Sequence, residues 1–121
     1  MSRSSRHHSI DYIELSVTDL AATMRFYADA FGWTFNGYGP GYAGIVSPDG
    51  RGEVGGLNAT GERRVGGSPL VLLYSDDLSA SVEAVTRAGG AVTSGPYAYP
   101  GGSRFHFTDP SGNELGVYQP A

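Results

Sequence analysis

Three ionisable side chains of this sequence could carry acid–base chemistry: Glu14, His106 and Glu114. An enclosed carboxylate near an imidazole can be tuned toward neutral pH, and such a pair can move protons on a bound molecule. The segments around them alternate apolar and polar residues, which is typical of half-buried strands with one apolar face. The polar face could line a binding cavity. It could also hydrogen-bond or pair with Arg104 in contact with water, and the pattern leaves both interpretations open.

Composition excludes several other kinds of chemistry. The chain has no Cys, which removes disulfides, thiolate nucleophiles and Cys-based metal sites. All eight basic residues are Arg, so no Lys side chain is available for Schiff-base or general-base catalysis. The net charge is −4 and the arginines are scattered, whereas phosphate binding needs a clustered positive face. Nucleic acid is therefore not expected as a partner, and a cationic or neutral small ligand fits better.

The length and composition predict one globular domain. The chain has 121 residues, of which 40% are hydrophobic and 17% charged. The N-terminal MSRSSRHH lacks the apolar segment of a secretory signal, and no apolar run approaches the ~18 residues of a spanning helix. We therefore expect a disordered tail over residues 1–9, a single domain over 10–120, and a cytoplasmic protein without membrane association.

The chain contains an internal duplication at an offset of 58 residues. DLAATMRFYADAFG, starting at Asp19, aligns with DLSASVEAVTRAGG, starting at Asp77. Both segments have apolar residues at helical spacing, an acidic residue at the start and glycine at the end. The match predicts amphipathic helices over 19–31 and 77–89, in module one (10–60) and module two (68–120).

Short β-like segments surround each helix. IDYIELSV and SPLVLLYS precede the two helices at the same offset. The segments that follow are WTFN, YAGIVS and GEVGGLN in module one and GAVTS, SRFHFT and ELGVYQ in module two. SPDG at 47–50 and DPSGN at 109–113 predict hairpin turns, and Gly- and Pro-rich stretches at 36–44, 61–69 and 95–103 predict loops. The order is therefore β-α-β-β-β, twice.

The ordered set of motifs resembles the vicinal oxygen chelate superfamily of glyoxalase, bleomycin-resistance and dioxygenase proteins. The segments that carry the resemblance are IELSVTDLAATMRFYADAFGW, DLSASVEAVTRAGGAV and FTDPSGNELGVYQP. The resemblance implies an α+β fold in which two βαβββ modules form a curved, eight-stranded mixed sheet around a cavity. It places the helices on the outer face and implies a homodimer.

The resemblance also locates the positions at which metal-dependent members hold their ion. Carried over to this sequence, those positions are Tyr12, about Gly56, Leu70 and Gly116. None has a carboxylate or an imidazole, and first-row divalent metals need several such ligands. We therefore predict no metal and no cofactor, which argues against glyoxalase I and dioxygenase activity.

The same correspondence assigns an inward face to the strands. Strand parity then turns six side chains toward the cavity as predicted ligand-binding residues: Tyr12, Glu14, Tyr74, His106, Glu114 and Tyr118. Tyr38, Tyr42, Tyr97 and Tyr99 lie in or near loops and short strands, where an aromatic ring can line a pocket or cover a sheet edge. For Trp33, core or edge packing is expected.

Two functions are consistent with these features. The first is a metal-independent small-molecule-binding protein of the bleomycin-resistance type that sequesters a ligand or antibiotic. The alternative is a metal-free isomerase, lyase or cyclase that uses Glu and His in the cavity for acid–base catalysis. The first requires only shape, aromatic surface and acidic groups, whereas the second also requires an acid–base pair.

Overall fold

Two helices and eight strands follow the predicted order in the computed structural model, which describes His7 and residues 10–60 and 69–121. The elements are β1 (Ile13–Ser16), α1 (Leu20–Phe31), β2 (Phe35–Gly37), β3 (Tyr42–Val46), β4 (Glu53–Asn58), β5 (Leu72–Tyr74), α2 (Leu78–Arg87), β6 (Ala91–Tyr99), β7 (Gly102–Thr108) and β8 (Glu114–Pro120). The predicted disordered tail falls almost wholly outside the described residues, as does most of the predicted loop at 61–69.

The strands form two four-stranded mixed sheets, in the orders β1-β4-β3-β2 and β5-β8-β7-β6. In each sheet the first strand of the module pairs in parallel with the last, and the remaining pairs are antiparallel. The predicted α+β class and the two βαβββ modules are therefore confirmed. Within the described part of the chain, no strand pairing joins the two sheets, so the eight strands do not close into one hydrogen-bonded sheet.

Both helices begin where the duplicated aspartates predict. The side chains of Asp19 and Asp77 accept hydrogen bonds from the backbone N–H groups three residues later, at 3.0 and 3.1 Å. Gly32 ends α1 in the left-handed conformation, with φ at 72°. The second helix stops at Arg87, two residues earlier than predicted, and the left-handed residue after it is Gly89.

Helix α1 contributes to the cores of both modules. Its Leu20 and Met24 pack against a buried cluster on the first sheet, formed by Val17, Ile45 and Leu57. Its Phe26 and Tyr27 belong to a second, larger buried cluster. The other members of that cluster are Leu78, Val85, Phe105, Phe107, Leu115 and Val117, all from module two. The apolar faces of both sheets are thus buried around α1.

A buried polar network ties α1 and β1 to the β7–β8 turn at Asp109–Asn113. The Tyr27 hydroxyl donates to Asp109 Oδ2 at 2.9 Å, and the hydroxyls of Thr23 and Ser111 lie 2.8 Å apart. Asn113 Nδ2 donates to the Ser16 carbonyl at 2.6 Å. Burial raises the pKa of the Tyr27 phenol, and the Asp109 charge and hydrogen bond add to the effect, so Tyr27 remains a neutral donor.

The loop predicted over 95–103 is wrong except at 100–101, because β7 already begins at Gly102. Strand β6 continues through this stretch to Tyr99 and pairs with β7 with two register shifts. Glycine and proline are tolerated here because β6 is the edge strand of its sheet and the ladder is irregular. The extension places Tyr97 and Tyr99 on the second sheet.

Candidate functional site

On the first sheet, the face opposite helix α1 has two glycines at its centre. Gly44 and Gly56 are directly paired on β3 and β4, and both are buried beneath side chains of the same face. Above Gly56 the hydroxyls of Tyr12 and Tyr42 meet at 2.6 Å, and a methyl group added at Gly56 would collide with both. Two small residues therefore leave room for tyrosines to lie across the sheet.

The predicted carboxylate Glu14 is exposed on this face. Asn58 Nδ2 donates to Glu14 Oε2 at 3.2 Å. Burial raises the pKa of the Tyr42 phenol, and hydrogen bonds with Tyr12 and Glu14 raise it further. Tyr42 therefore stays protonated at neutral pH and can act as a hydrogen-bond donor.

A second carboxylate, Glu53, lies over Gly44. Its Oε2 accepts hydrogen bonds from the Tyr38 hydroxyl and from Asn36 Nδ2. The hydrogen bond from Tyr38 lowers the pKa of Glu53 most, and the bond from Asn36 lowers it further. The bond between Tyr38 and Glu53 also raises the pKa of the Tyr38 phenol. Glu53 is thus ionised at neutral pH, and no described cation pairs with it.

On the second sheet, four side chains form one line of polar contacts. Arg104 Nε donates to the Tyr97 hydroxyl at 2.6 Å, and Tyr97 contacts His106 Nε2 at 3.0 Å. His106 Nδ1 lies 3.4 Å from Glu114 Oε2. When Nδ1 carries the proton, Nε2 is an acceptor for the Tyr97 hydroxyl, so neutral His106 satisfies both contacts. Arg104 thus contacts a tyrosine, and not either of the carboxylates considered as its partners.

Aromatic surface lies beside this line. Tyr74 and Tyr118 are cross-strand partners whose rings meet edge to face at 5.9 Å, and the Tyr74 hydroxyl donates to Asp76. This hydrogen bond raises the pKa of the Tyr74 phenol. Tyr74 is 62% exposed, a high value for an aromatic residue in a strand. Such surface is available for contact with a flat ligand.

The predicted site residues fall into two groups. Tyr12 and Glu14 lie with Tyr42 on the first sheet, whereas the other four lie on the second: Tyr74, His106, Glu114 and Tyr118. None of the described side-chain contacts joins one group to the other. Convergence of all six in one pocket therefore remains a prediction.

The structure adds Asn58 to the predicted site and brings to it Tyr42 and Tyr97, for which the sequence left pocket lining and sheet-edge packing open. Tyr42, Asn58 and Tyr97 each contact a predicted residue directly. Parity along YAGIVS could have placed Tyr42 on this face, because the residue after it is buried on the helix side. Trp33 lies in the core as expected and stacks on Tyr27 at 4.3 Å between ring centroids.

The four positions carried over from metal-dependent relatives do not fit a divalent metal. The Tyr12 hydroxyl is engaged by Tyr42, Gly56 lies beneath both, and Leu70 is an exposed apolar residue. A methyl group added at Gly116 would meet the Leu72 side chain first, and glycine has no side chain that could bind an ion. Over residues 10–60 and 69–121, together with His7, no three His, Asp or Glu side chains are grouped closely enough to hold an ion.

Comparisons with known proteins identify the family to which this chain belongs. A sequence profile of the glyoxalase/bleomycin resistance protein/dioxygenase superfamily matches residues 9–117. The chain belongs to this superfamily. It is 32% identical to a glyoxylase-like domain-containing protein from Didymella fabae, over 78% of this chain and 82% of that protein.

Solved structures of the superfamily share the fold. A glyoxalase-related enzyme from Fulvimarina pelagi superposes with a TM-score of 0.76 at 22% identity, covering 93% of this chain and 88% of that one. TnmS3, an antibiotic-binding protein from Streptomyces sp. CB03234, superposes with a TM-score of 0.72 at 25% identity, covering 100% and 99%. In the described ranges, neither helix has the length and apolar character needed to cross a membrane.

Proposed function

We propose that the protein binds a small organic molecule without a metal ion and sequesters it, with an antibiotic as one candidate ligand. The observation that carries the proposal is the composition of the two helix-free sheet faces. Glycines at 44, 56 and 116 let larger side chains lie across the sheets, and the groups that cover or flank them are tyrosines, carboxylates, an imidazole and Leu72. Such a surface combines area for contact with a few fixed polar groups, as small-molecule sites do.

The similarity to TnmS3 supports small-molecule binding. Its antibiotic-binding activity belongs to that protein, and this chain matches it over its whole length. A screen of a compound library by thermal shift tests the proposal, because a ligand that binds only the folded state raises Tm. Expression in a susceptible bacterium then tests sequestration, since a bound antibiotic should become less inhibitory. Absence of any stabilising compound from a broad library would contradict the proposal.

Metal independence has its own test. Thermal-shift series with Zn, Ni, Mn and Fe, followed by metal analysis after dialysis, should show no tightly held equivalent. One ion retained per chain between β1 and β5 would contradict the assignment of the four positions.

We further propose that a homodimer completes the pocket. Each group of site residues lies on an open sheet face, so a second copy could bring a first-sheet face opposite a second-sheet face. Light scattering after size exclusion should give twice the chain mass of 12.7 kDa. Glu14→Gln and His106→Ala should each weaken binding of a screened ligand, and mixing the two variants should restore one intact site per mixed dimer. Failure of mixing to restore binding would contradict a pocket shared between copies.

A metal-free enzyme is the second candidate, and the contacts of His106 favour it. The imidazole lies between the Glu114 carboxylate and the Tyr97 hydroxyl, an arrangement that can hold and transfer a proton. Mass spectrometry of a screened ligand after incubation separates the two candidates. Turnover that is lost in His106→Ala while binding persists would establish the isomerase, lyase or cyclase alternative. Cytoplasmic residence is part of the proposal, and cell fractionation tests it.

A further inference from the structure

Arg104 differs from an ordinary surface arginine because two tyrosines, Tyr97 and Tyr99, contact its side chain. Its Nε donates to the Tyr97 hydroxyl at 2.6 Å. Its guanidinium carbon lies 5.5 Å from the centroid of the Tyr97 ring and 5.1 Å from that of Tyr99. The hydrogen bond at Nε and the nearby Tyr99 ring restrict the orientation of the planar group.

The terminal nitrogens of Arg104 have no acidic partner in the part of the chain that the structure describes. Among the described residues no carboxylate lies within salt-bridge distance of the guanidinium, and Glu114 contacts His106 and Thr93 instead. A guanidinium has five N–H donors and no acceptor, so its outer edge is left able to bind a planar oxyanion through two parallel hydrogen bonds.

The surroundings of Arg104 place this edge on the proposed ligand-binding face. Phe105 is buried on the helix side, so Arg104 faces the other way. Arg104 is the cross-strand partner of Tyr97 on one side and of Tyr118 on the other, and Tyr118 is the partner of Tyr74. One row across the sheet therefore contains an arginine between tyrosines.

We propose that Arg104 recognises an anionic group of the ligand, which makes the ligand an organic acid with a carboxylate beside an aromatic ring. The carboxylate binds the guanidinium edge, and the ring packs on Tyr118 and Tyr74. This inference rests on the proposed small-molecule binding and narrows its ligand class to organic acids, in place of the cationic or neutral ligand that the net charge of −4 favours.

The test compares 2-naphthoate with 2-naphthamide, which have nearly the same shape but differ in charge. Titration of isotope-labelled protein, followed by NMR, should show naphthoate binding at least tenfold more tightly, with shifts concentrated around Arg104 and Tyr118. Arg104→Gln should remove this preference, and Arg104→Lys should retain part of it because Lys keeps the charge without the fork. Tyr97→Phe should reduce it by releasing Nε while keeping the ring.

Arg25→Gln is the matched control, because it makes the same charge change at an exposed position of α1 and should leave the preference unchanged. Circular dichroism verifies that each variant folds. If Arg104→Gln does not fold, Arg104→Lys and Tyr97→Phe provide the test. Equal binding of the two probes, binding of neither, or an unchanged preference in Arg104→Gln would overturn the inference. A screened ligand without an anionic group, bound equally well by Arg104→Gln, would overturn it while leaving small-molecule binding intact.

Discussion

The hydroxyl of Tyr27 provides the sharpest test of how the two modules are held together. Its side chain is completely buried and donates to Asp109 across the module boundary. Tyr27→Phe removes a hydrogen bond to a carboxylate, an interaction worth roughly 1.5–3 kcal/mol. Asp109 keeps its bonds from Ser111 N, Asn113 N and Asn113 Nδ2, so it is not left unsatisfied. We therefore expect the lower end, a loss of about 1.5–2 kcal/mol in the free energy of unfolding.

Equilibrium urea unfolding measures this loss, at one fixed protein concentration because association would shift the apparent stability. Fluorescence of Trp33 reports the transition, and circular dichroism provides a second signal because Trp33 stacks directly on Tyr27. The control is Tyr12→Phe, which removes a hydroxyl from an exposed pair and should cost no more than about 0.5 kcal/mol. Equal losses in the two variants would refute the argument that the buried bond joins the modules.

Three further predictions follow from the described contacts. The native pKa of Tyr27 lies above its ordinary value near 10, so stability should fall as pH rises beyond 10, by up to about 1.4 kcal/mol per pH unit; Tyr27→Phe should lack this term in alkaline urea titrations. The Tyr38 hydroxyl lowers the native pKa of Glu53, so its stabilisation should be present above about pH 4.5 and disappear as pH falls below it. The Tm difference between wild type and Glu53→Gln should therefore shrink below that pH, and a constant difference from pH 7 to 3 would contradict this. Gly55→Ala would press its methyl group on a backbone carbonyl of β1, whereas the methyl group of Gly56→Ala would meet the outer ends of two tyrosine side chains, which can move aside. Gly55→Ala should therefore be the more destabilising, by about 1–3 kcal/mol in urea titrations.

Local signals in the sequence predicted the elements well. Asp19 and Asp77 begin the helices, as the duplication indicates, because an N-cap acts within its own first turn. The predicted turn at DPSGN joins β7 to β8 and contains a hydrogen bond from Gly112 N to Asp109 O. Such features depend on neighbours a few residues away, which the sequence shows directly.

Contacts between distant segments were not predictable in the same way. The bond between Tyr27 and Asp109 spans 82 positions, and no periodicity in either segment indicates it. The position of Glu53 over Gly44 depends on a register shift after Ile45, which alternation alone does not reveal. The candidate site was therefore predicted as a set of inward-facing residues, while the partners that orient them came from the structure.

The double role of α1 has a consequence for biosynthesis. This helix is among the first elements to leave the ribosome, yet the other buried members of the cluster around Phe26 and Tyr27 are on α2, β7 and β8 of module two. Until those elements are synthesised, the aromatic neighbours within module one, such as Trp33 stacked on Tyr27, cover only part of this apolar surface. The core around α1 is therefore completed only after the C-terminal half has been synthesised. A messenger truncated between the two modules would yield an aggregation-prone fragment and not a smaller functional protein.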